Sequence, residues 1–357
     1  MHLKILDLKK EHNLLLYKKA YKSFNYKTPF YKFEFINAFS FGLNAIYSFL
    51  LVDEHENPLV IMPFHLRDIN FKNENTYYDV ISTYGYSGPL YDDHHDNTNA
   101  ILQQFWIKVD EWYKANNVVS EFIRFNLNDN HKHYSGHSEP TLLNIKGVLQ
   151  DKEIIWKNYN PKVRKNVNKA KKEGLTVQVY YKNITPKVLN DFYDIYIETM
   201  DRAKALKKFY VSKQLIEEFV FSSPKSCAIA LTYKDSIPIS SELVLVSKTK
   251  VFSFLGGTKS EYFNLRPNDI LKDTLIDWAY NNDHNFFVLG GGYGSNDGIY
   301  NFKKSFFPND ISFFYTGRKI VDHKAYNTLS KMSNPSLNLR DYFFPLYRKE
   351  EFNNDLK

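Results

Sequence analysis

The sequence holds a single cysteine, Cys227, in 357 residues, which excludes an internal disulfide framework and fits a reducing compartment. It lies in the apolar run Ser226-Cys227-Ala228-Ile229-Ala230-Leu231 and reads as a buried strand residue, not as a nucleophile. No stretch approaches the roughly 18 consecutive apolar residues that a membrane-spanning helix needs. The N-terminus carries Lys4, Asp7, Lys9 and Lys10 among its apolar residues, so it lacks the uninterrupted segment of a secretory signal. A soluble, cytoplasmic protein is expected. Several catalytic signatures are missing as well. No G-x-S-x-G stands for serine hydrolase chemistry, and the histidine groups Asp92-Asp93-His94-His95-Asp96 and His131, His133, His137 match no zinc spacing, so no metal is expected. No low-complexity linker divides the chain.

What is present is a globular composition, 43% hydrophobic and 24% charged, with 27 Tyr and 29 Phe. The length exceeds one ordinary core and predicts two domains at about 150 residues each. Tyrosine in this abundance supplies rings that stack on sugars or bases, beside its commoner use as core with a wet hydroxyl. Forty-seven basic against 40 acidic residues give +7, which favours an anionic partner such as a nucleotide, phosphate or RNA.

From Asn160 onward the punctuation is explicit. Asn160-Pro161 offers an N-cap and a first-turn proline, and Gly174 a stop, so 161–173 is expected to be a helix. Leu175, Val177 and Val179 alternate with polar neighbours as in a half-buried strand. Thr185-Pro186 opens a second helix through Leu189, Phe192, Tyr196 and Met200, and Ser212 caps a third. Strands at 226–234, 238–247 and 251–256 form a meander, followed by a helix at 267–282, a strand at 286–289, a short helix near 299–305 and a strand at 311–316. This order predicts a mixed α+β layer. The first half repeats parts of it more faintly, with strands at 3–8, 46–52, 59–66 and 121–127 and helices at 10–22, 31–39 and 98–115. Residues 1–150 therefore read as a degenerate copy of 151–320, with 128–142 a surface loop and 321–357 a C-terminal tail.

Two constellations stand out. Lys162, Arg164, Lys165, Lys169, Lys171 and Lys172 crowd one helix with no acid among them, a repulsion that an anion would relieve, although a solvated face explains it too. Gly290-Gly291-Gly292-Tyr293-Gly294 after the 286–289 strand would let a ligand approach main-chain amides. It is neither a Walker A loop nor a dinucleotide fingerprint, and a plain glycine-rich strand exit remains the other reading.

Tyr84-Gly85-Tyr86-Ser87-Gly88-Pro89-Leu90, the run Asn160 to Ala170, Tyr196-Ile197-Glu198-Thr199-Met200-Asp201-Arg202 before Phe209-Tyr210, Gly256-Gly257, Pro267-Asn268, Gly290-Gly291-Gly292 and Phe302-Lys303-Lys304-Ser305-Phe306 follow one another in order. In that order and spacing the chain resembles the FemABX-like aminoacyltransferases and related acetyltransferase-fold (GNAT) proteins of bacterial cell-envelope glycan synthesis. The resemblance implies tandem acetyltransferase-like domains, each a mixed, mostly antiparallel sheet flanked by helices, with the site in the second. By resemblance, Lys303 of F-K-x-x-F lies beside the reacting acyl group and would stabilise charge on the carbonyl oxygen. Arg202 and Tyr210 match substrate-side positions that hold phosphate and stack on sugar, with Tyr86, Arg164, Lys165 and Asn268 as further substrate-binding candidates. The family's coiled-coil arm and the Q/R-x-x-G-x-G/A loop of acetyltransferases have no counterpart here.

The implied activity is transfer of an acyl or aminoacyl group to an amino group of a nucleotide- or lipid-linked sugar or peptide precursor in peptidoglycan or surface polysaccharide synthesis. No tightly bound cofactor is implied, the donor being aminoacyl-tRNA or acyl-CoA. Expected partners are the glycan precursor, tRNA, and peripheral contact with the inner membrane. The alternative is a noncatalytic RNA- or glycan-binding protein that uses the basic helix 161–173.

Overall fold

A computed structural model of the protein describes residues 1–69, 76–92, 97–294, 297–333 and 343–349. The first half comprises β1 (His2–Asp7), α1 (Glu11–Ser23), α2 (Phe33–Ala38), β2 (Ile46–Val52), β3 (Pro58–Ile69), β4 (Tyr77–Ser82), α3 (Thr98–Ala115) and β5 (Val118–Arg124). There follow β6 (His137–Val148), α4 (Lys152–Asn158), α5 (Pro161–Lys172), β7 (Thr176–Tyr181), α6 (Pro186–Ala203), α7 (Lys213–Ser222) and β8 (Cys227–Lys234). The rest is β9 (Ile237–Val246), β10 (Lys250–Thr258), α8 (Pro267–Asn281), β11 (Phe286–Gly290), α9 (Gly298–Lys304), β12 (Ile311–Ile320) and α10 (His323–Ser333). These elements form two compact units, one of Met1–Thr141 with Phe314–Lys357, the other of Leu142–Phe313.

In the first unit β1 to β4 pair successively as an antiparallel meander. The chain then crosses through α3 to β5, parallel to β4, and β12 pairs antiparallel with β5. Along α3 the buried Leu102, Phe105, Trp106, Val109 and Tyr113 recur at helical spacing and pack on Phe49, Phe64, Val80 and Ile123 of the sheet. The second unit has the same plan. β7 to β10 are an antiparallel meander, α8 crosses to β11, parallel to β10, and β6 pairs antiparallel with β11. The faint copy in sequence is thus a full copy in strand order. Each unit takes its sixth strand from outside its own consecutive run: β6 follows β5 in sequence but completes the second sheet, and β12 follows β11 but completes the first.

Local chemistry explains the second unit's legibility. The Asn160 side chain accepts from Lys162 N at 3.0 Å, with Pro161 in the first turn, and Val163, Val167 and Ala170 face inward. Thr185 and Ser212 cap α6 and α7 through their hydroxyls. Asp235 and Ser236, both at positive φ, make the tight β8–β9 turn. Cys227 is fully buried in β8, as expected. The helix α6 comes unusually close to the end of β10, where Gly257 lies against Ile195 O and Thr199, and Thr258 N donates to Thr199 Oγ1 at 3.1 Å. A Cβ at position 257 has no room, so Gly257→Ala should cost about 1–3 kcal/mol through a shifted α6, read as a lower urea midpoint at unchanged m.

Several expectations are revised. The segment 128–142, read as a surface loop, includes the start of β6, masked in sequence by Pro140 and its polar neighbours. The supposed tail from 321 contains α10, whose Ala325, Tyr326 and Leu329 pack with Ile69, Val119, Leu346 and Tyr347 in a buried cluster of the first unit. Arg348 also donates to the buried Asp79 at 2.9 Å, alongside Arg67 at 2.5 Å. The units divide at 141 and 313, not at 150 and 320. Residues 93–96, which hold most of the first histidine group, lie outside the described residues, as do 337–342 and 350–357. His131 of the second group stacks on Tyr315 at 3.8 Å.

Candidate active site

β10 and β11 pair in parallel only from Lys250 to Phe252. Beyond that, β10 bulges between Ser253 and Leu255 and runs on with β9 to Thr258, whereas β11 slips against β6 and ends at Gly290. Because the strands are parallel, their carboxyl ends, the start of α8 and the glycine loop all lie toward the same edge of the second unit. Most of the candidate residues gather toward that edge.

Lys303 projects from α9 and its ammonium donates to Gly291 O at 2.6 Å. Burial and, next, repulsion from Lys272 lower its pKa to about 8, against the opposing pull of Glu242 and Asp297. The loop that receives it is latched by Asp297. That carboxylate caps α9 through Tyr300 N at 2.7 Å and also accepts from Gly294 N at 3.0 Å and Tyr293 N at 2.5 Å, which holds its pKa down. A side chain on Gly292 would collide with the Asp297 carboxylate, so this glycine serves a close approach within the loop itself. Phe302 and Phe306, 5.3 Å apart edge to face, anchor α9 in the core.

Beneath lies a buried pair that the sequence did not announce. Glu242 of β9 shares a sheet face with Val244 and Val246, the face packed under α8, and meets Lys272 of that helix. Lys272 Nζ donates to Glu242 Oε1 at 2.6 Å and to Ser253 Oγ at 3.1 Å, while Ser253 Oγ donates to the same Oε1 at 2.6 Å. Both charged residues are about 95% buried. The available signal was opposite charges interrupting two apolar stretches, Ile239–Val246 and Ile270–Ile276, without indication that they touch.

At the end of α6, Arg202 Nη1 donates to Thr258 O at 2.7 Å and its guanidinium lies 4.9 Å over Phe263. Tyr210 is about one-third exposed, and partial burial, then its hydrogen bond to Asp201, raises its pKa. Arg202 and Tyr210 therefore flank the Asp201 corner, beside the carboxyl end of β10. Asn268 is half-buried in the first turn of α8, whose N-cap, Arg266, provides no side-chain cap. Arg164 is directed elsewhere: its guanidinium donates to Lys157 O at 2.9 Å and to the Trp156 and Tyr159 carbonyls, closing the end of α4. Lys165 is exposed on α5. Tyr86 belongs to the first unit, edge-on to Phe30 at 5.3 Å and Phe314 at 5.8 Å, its phenol pKa raised by burial.

A charged Lys303 is what an oxyanion-stabilising role requires. Transfer should then decline as pH rises through about 8, the ammonium losing its proton, and Lys303→Arg should abolish that alkaline limb, since guanidinium stays charged to beyond pH ~12. The pH dependence of kcat for the two proteins checks this.

Residues 158–304 match the sequence model of an acetyltransferase (GNAT) domain. Comparison with curated proteins yields no sequence match. Among solved structures, FemX is similar at 12% identity over 92% of this chain and 99% of that one, with a TM-score of 0.62. L-PGS from Bacillus licheniformis is similar at 12% identity over 90% and 95%, TM-score 0.57. The C-terminal domain of a candidate lysylphosphatidylglycerol synthetase from Agrobacterium fabrum is similar at 10% identity over 78% and 85%, TM-score 0.50. Likeness at such identity establishes fold, and it agrees with the doubled strand order and with the matched domain. The chain thus shares the fold of FemX and L-PGS, and its residues 158–304 match an acetyltransferase (GNAT) domain.

Proposed function

We propose that the protein is an acyl- or aminoacyltransferase acting on an amino group of a nucleotide- or lipid-linked sugar or peptide precursor of the bacterial cell envelope. The observation that carries the reading is the Lys303 ammonium, partly buried and fixed on Gly291 O where the parallel strands part. The acetyltransferase domain over 158–304 and the fold shared with FemX and L-PGS support it.

A neutral amine attacks the carbonyl of a thioester or ester, the carbonyl oxygen takes up negative charge, and collapse expels the thiolate or ribose hydroxyl as the amine loses a proton. Such a reaction needs orientation and oxyanion stabilisation more than a strong base. Lys303 supplies the positive charge, Asp297 holds the loop that aims it, and Arg202, Tyr210 and Asn268 would hold the substrate. The donor is an acyl-CoA or an aminoacyl-tRNA, with no tightly held cofactor, and the reaction is assigned to the cytoplasm.

The test offers the purified full chain a panel of acyl-CoA and aminoacyl-tRNA donors with amino-sugar nucleotides and follows acceptor mass. A mass gain from one donor class, lost in Lys303→Ala, is the expected result. Transfer undiminished in Lys303→Ala would sink the assignment of that residue, and absence of transfer from every donor would sink the reading.

A further inference from the structure

From Lys152 to Lys172, α4 and α5 contain seven lysines and one arginine against one glutamate, a net +7 equal to that of the whole chain. The remaining sequence is therefore neutral, and the positive charge is concentrated on one helical pair. On α5 the buried residues are Val163, Val167 and Ala170. Lys162, Lys165, Lys169 and Lys172 recur at intervals of three and four on the opposite side, all exposed, a stripe about 15 Å long. With Lys157 of α4 they form no ion pair among the described residues. Like charges at this spacing destabilise a helix, and the counter-charge of Asp273 goes to Lys171, off the stripe.

The helical pair also carries apolar surface. Ile154 of α4 is 47% exposed, and an open groove of about 400 Å³ is lined by Lys152, Glu153, Trp156, Lys157 and Lys171. Two of its cations are already partnered, Lys152 by Asp277 and Lys171 by Asp273 at 3.7 Å.

We propose that the α4–α5 helical pair docks the protein on an anionic lipid bilayer, the lysine stripe meeting headgroups and the exposed Ile154 entering the interface. The composition favours lipid over RNA. The one arginine is consumed by carbonyls of α4, so no guanidinium fork is left for phosphate or base. Lys171 covers the Trp156 ring at 5.4 Å and Tyr159 is buried, so neither aromatic of the helical pair offers a stacking platform. What remains on the pair, point charges together with an exposed aliphatic side chain, matches an interfacial surface. This inference is independent of the transfer chemistry and survives or fails without it.

The test is co-sedimentation of the full chain with vesicles of phosphatidylcholine alone or mixed with phosphatidylglycerol, with poly(U) binding measured in parallel. Partition onto the anionic vesicles only is expected, falling steeply between about 50 and 200 mM salt. Each stripe lysine removed should lower it about fivefold, so the combined Lys162→Glu, Lys165→Glu, Lys169→Glu variant loses at least a hundredfold. Ile154→Asp should lower it about fivefold without altering any poly(U) binding. Reversal of two exposed lysines of the first unit, Lys114→Glu with Lys324→Glu, should change it little, and circular dichroism verifies that each variant is folded. Equal partition onto neutral vesicles, no partition at all, the same loss from the first-unit reversal, indifference to Ile154→Asp, or binding to poly(U) in place of vesicles would each overturn the proposal.

Discussion

Replacing Lys303 by alanine should lower kcat for acyl transfer by about 10²- to 10³-fold with little change in KM. The range is that for removing one preorganised donor from an oxyanion site, about 3–4 kcal/mol of transition-state stabilisation. The asymmetry between kcat and KM follows from where the charge develops. The ground-state carbonyl carries only a partial negative charge, so an ammonium beside it adds little to substrate affinity and much to the barrier. Geometry makes the effect specific to position 303, because its Nζ is fixed on Gly291 O and the loop carrying that carbonyl is itself latched by Asp297. Lys303→Met, which keeps most of the side-chain volume, should show nearly the full loss, and Lys303→Arg should recover part of it by restoring charge in a bulkier form. Steady-state kinetics on the three variants with the donor found in the panel check this ordering. Loss in KM alone would instead make Lys303 a binding residue.

Glu242→Ala should be the most destabilising single change in the second unit, by about 3–5 kcal/mol, because it leaves the buried Lys272 ammonium without its counter-charge. The pair is not thereby a large source of net stability. Desolvating both ions offsets much of their attraction, so Glu242→Leu combined with Lys272→Met should recover most of the loss. Urea unfolding of the two single variants and the double variant forms the cycle that separates these statements. A double variant as unstable as Glu242→Ala would show that packing around Ser253, and not charge, sets the stability there. The pair matters for chemistry as well as for folding, since Lys272 is the second contributor, after burial, to the low pKa of Lys303.

The fold was more legible in the second half than in the first, for physical reasons. Asn160, Thr185 and Ser212 cap their helices through their own side chains, and a cap is a local signal readable without knowing the neighbours. In the first unit, α1 and α3 start without side-chain caps, and only apolar spacing announces them. β4 is not legible in the sequence because Asp79 interrupts it, a residue whose burial makes sense only once Arg67 of the neighbouring strand and Arg348, far away in sequence, are brought to it. α4 was missed although Asp151 caps it through Glu153 N at 2.9 Å; the signal was present in a helix of only seven residues. Of the site, Lys303 emerged through family resemblance, and the glycine loop through composition. The Glu242–Lys272 pair joins residues 30 apart, and no periodicity rule reaches across such a separation. Arg164 shows the opposite failure, where a cation in a basic run looks available until its carbonyl partners are seen.

The exchanged sixth strands set a timetable for synthesis. A chain emerging from the ribosome completes β1 to β5 early, yet the first sheet keeps an open edge along β5 until β12 and α10 have been made. The second sheet receives β6 before its own first strand exists and can close as soon as β11 appears. The half begun first is thus the half finished last, and during most of translation it presents an unpaired edge of the kind that invites pairing with other chains. For the same reason a stop codon near residue 310, though it spares every candidate catalytic residue, would leave the first unit without its closing strand.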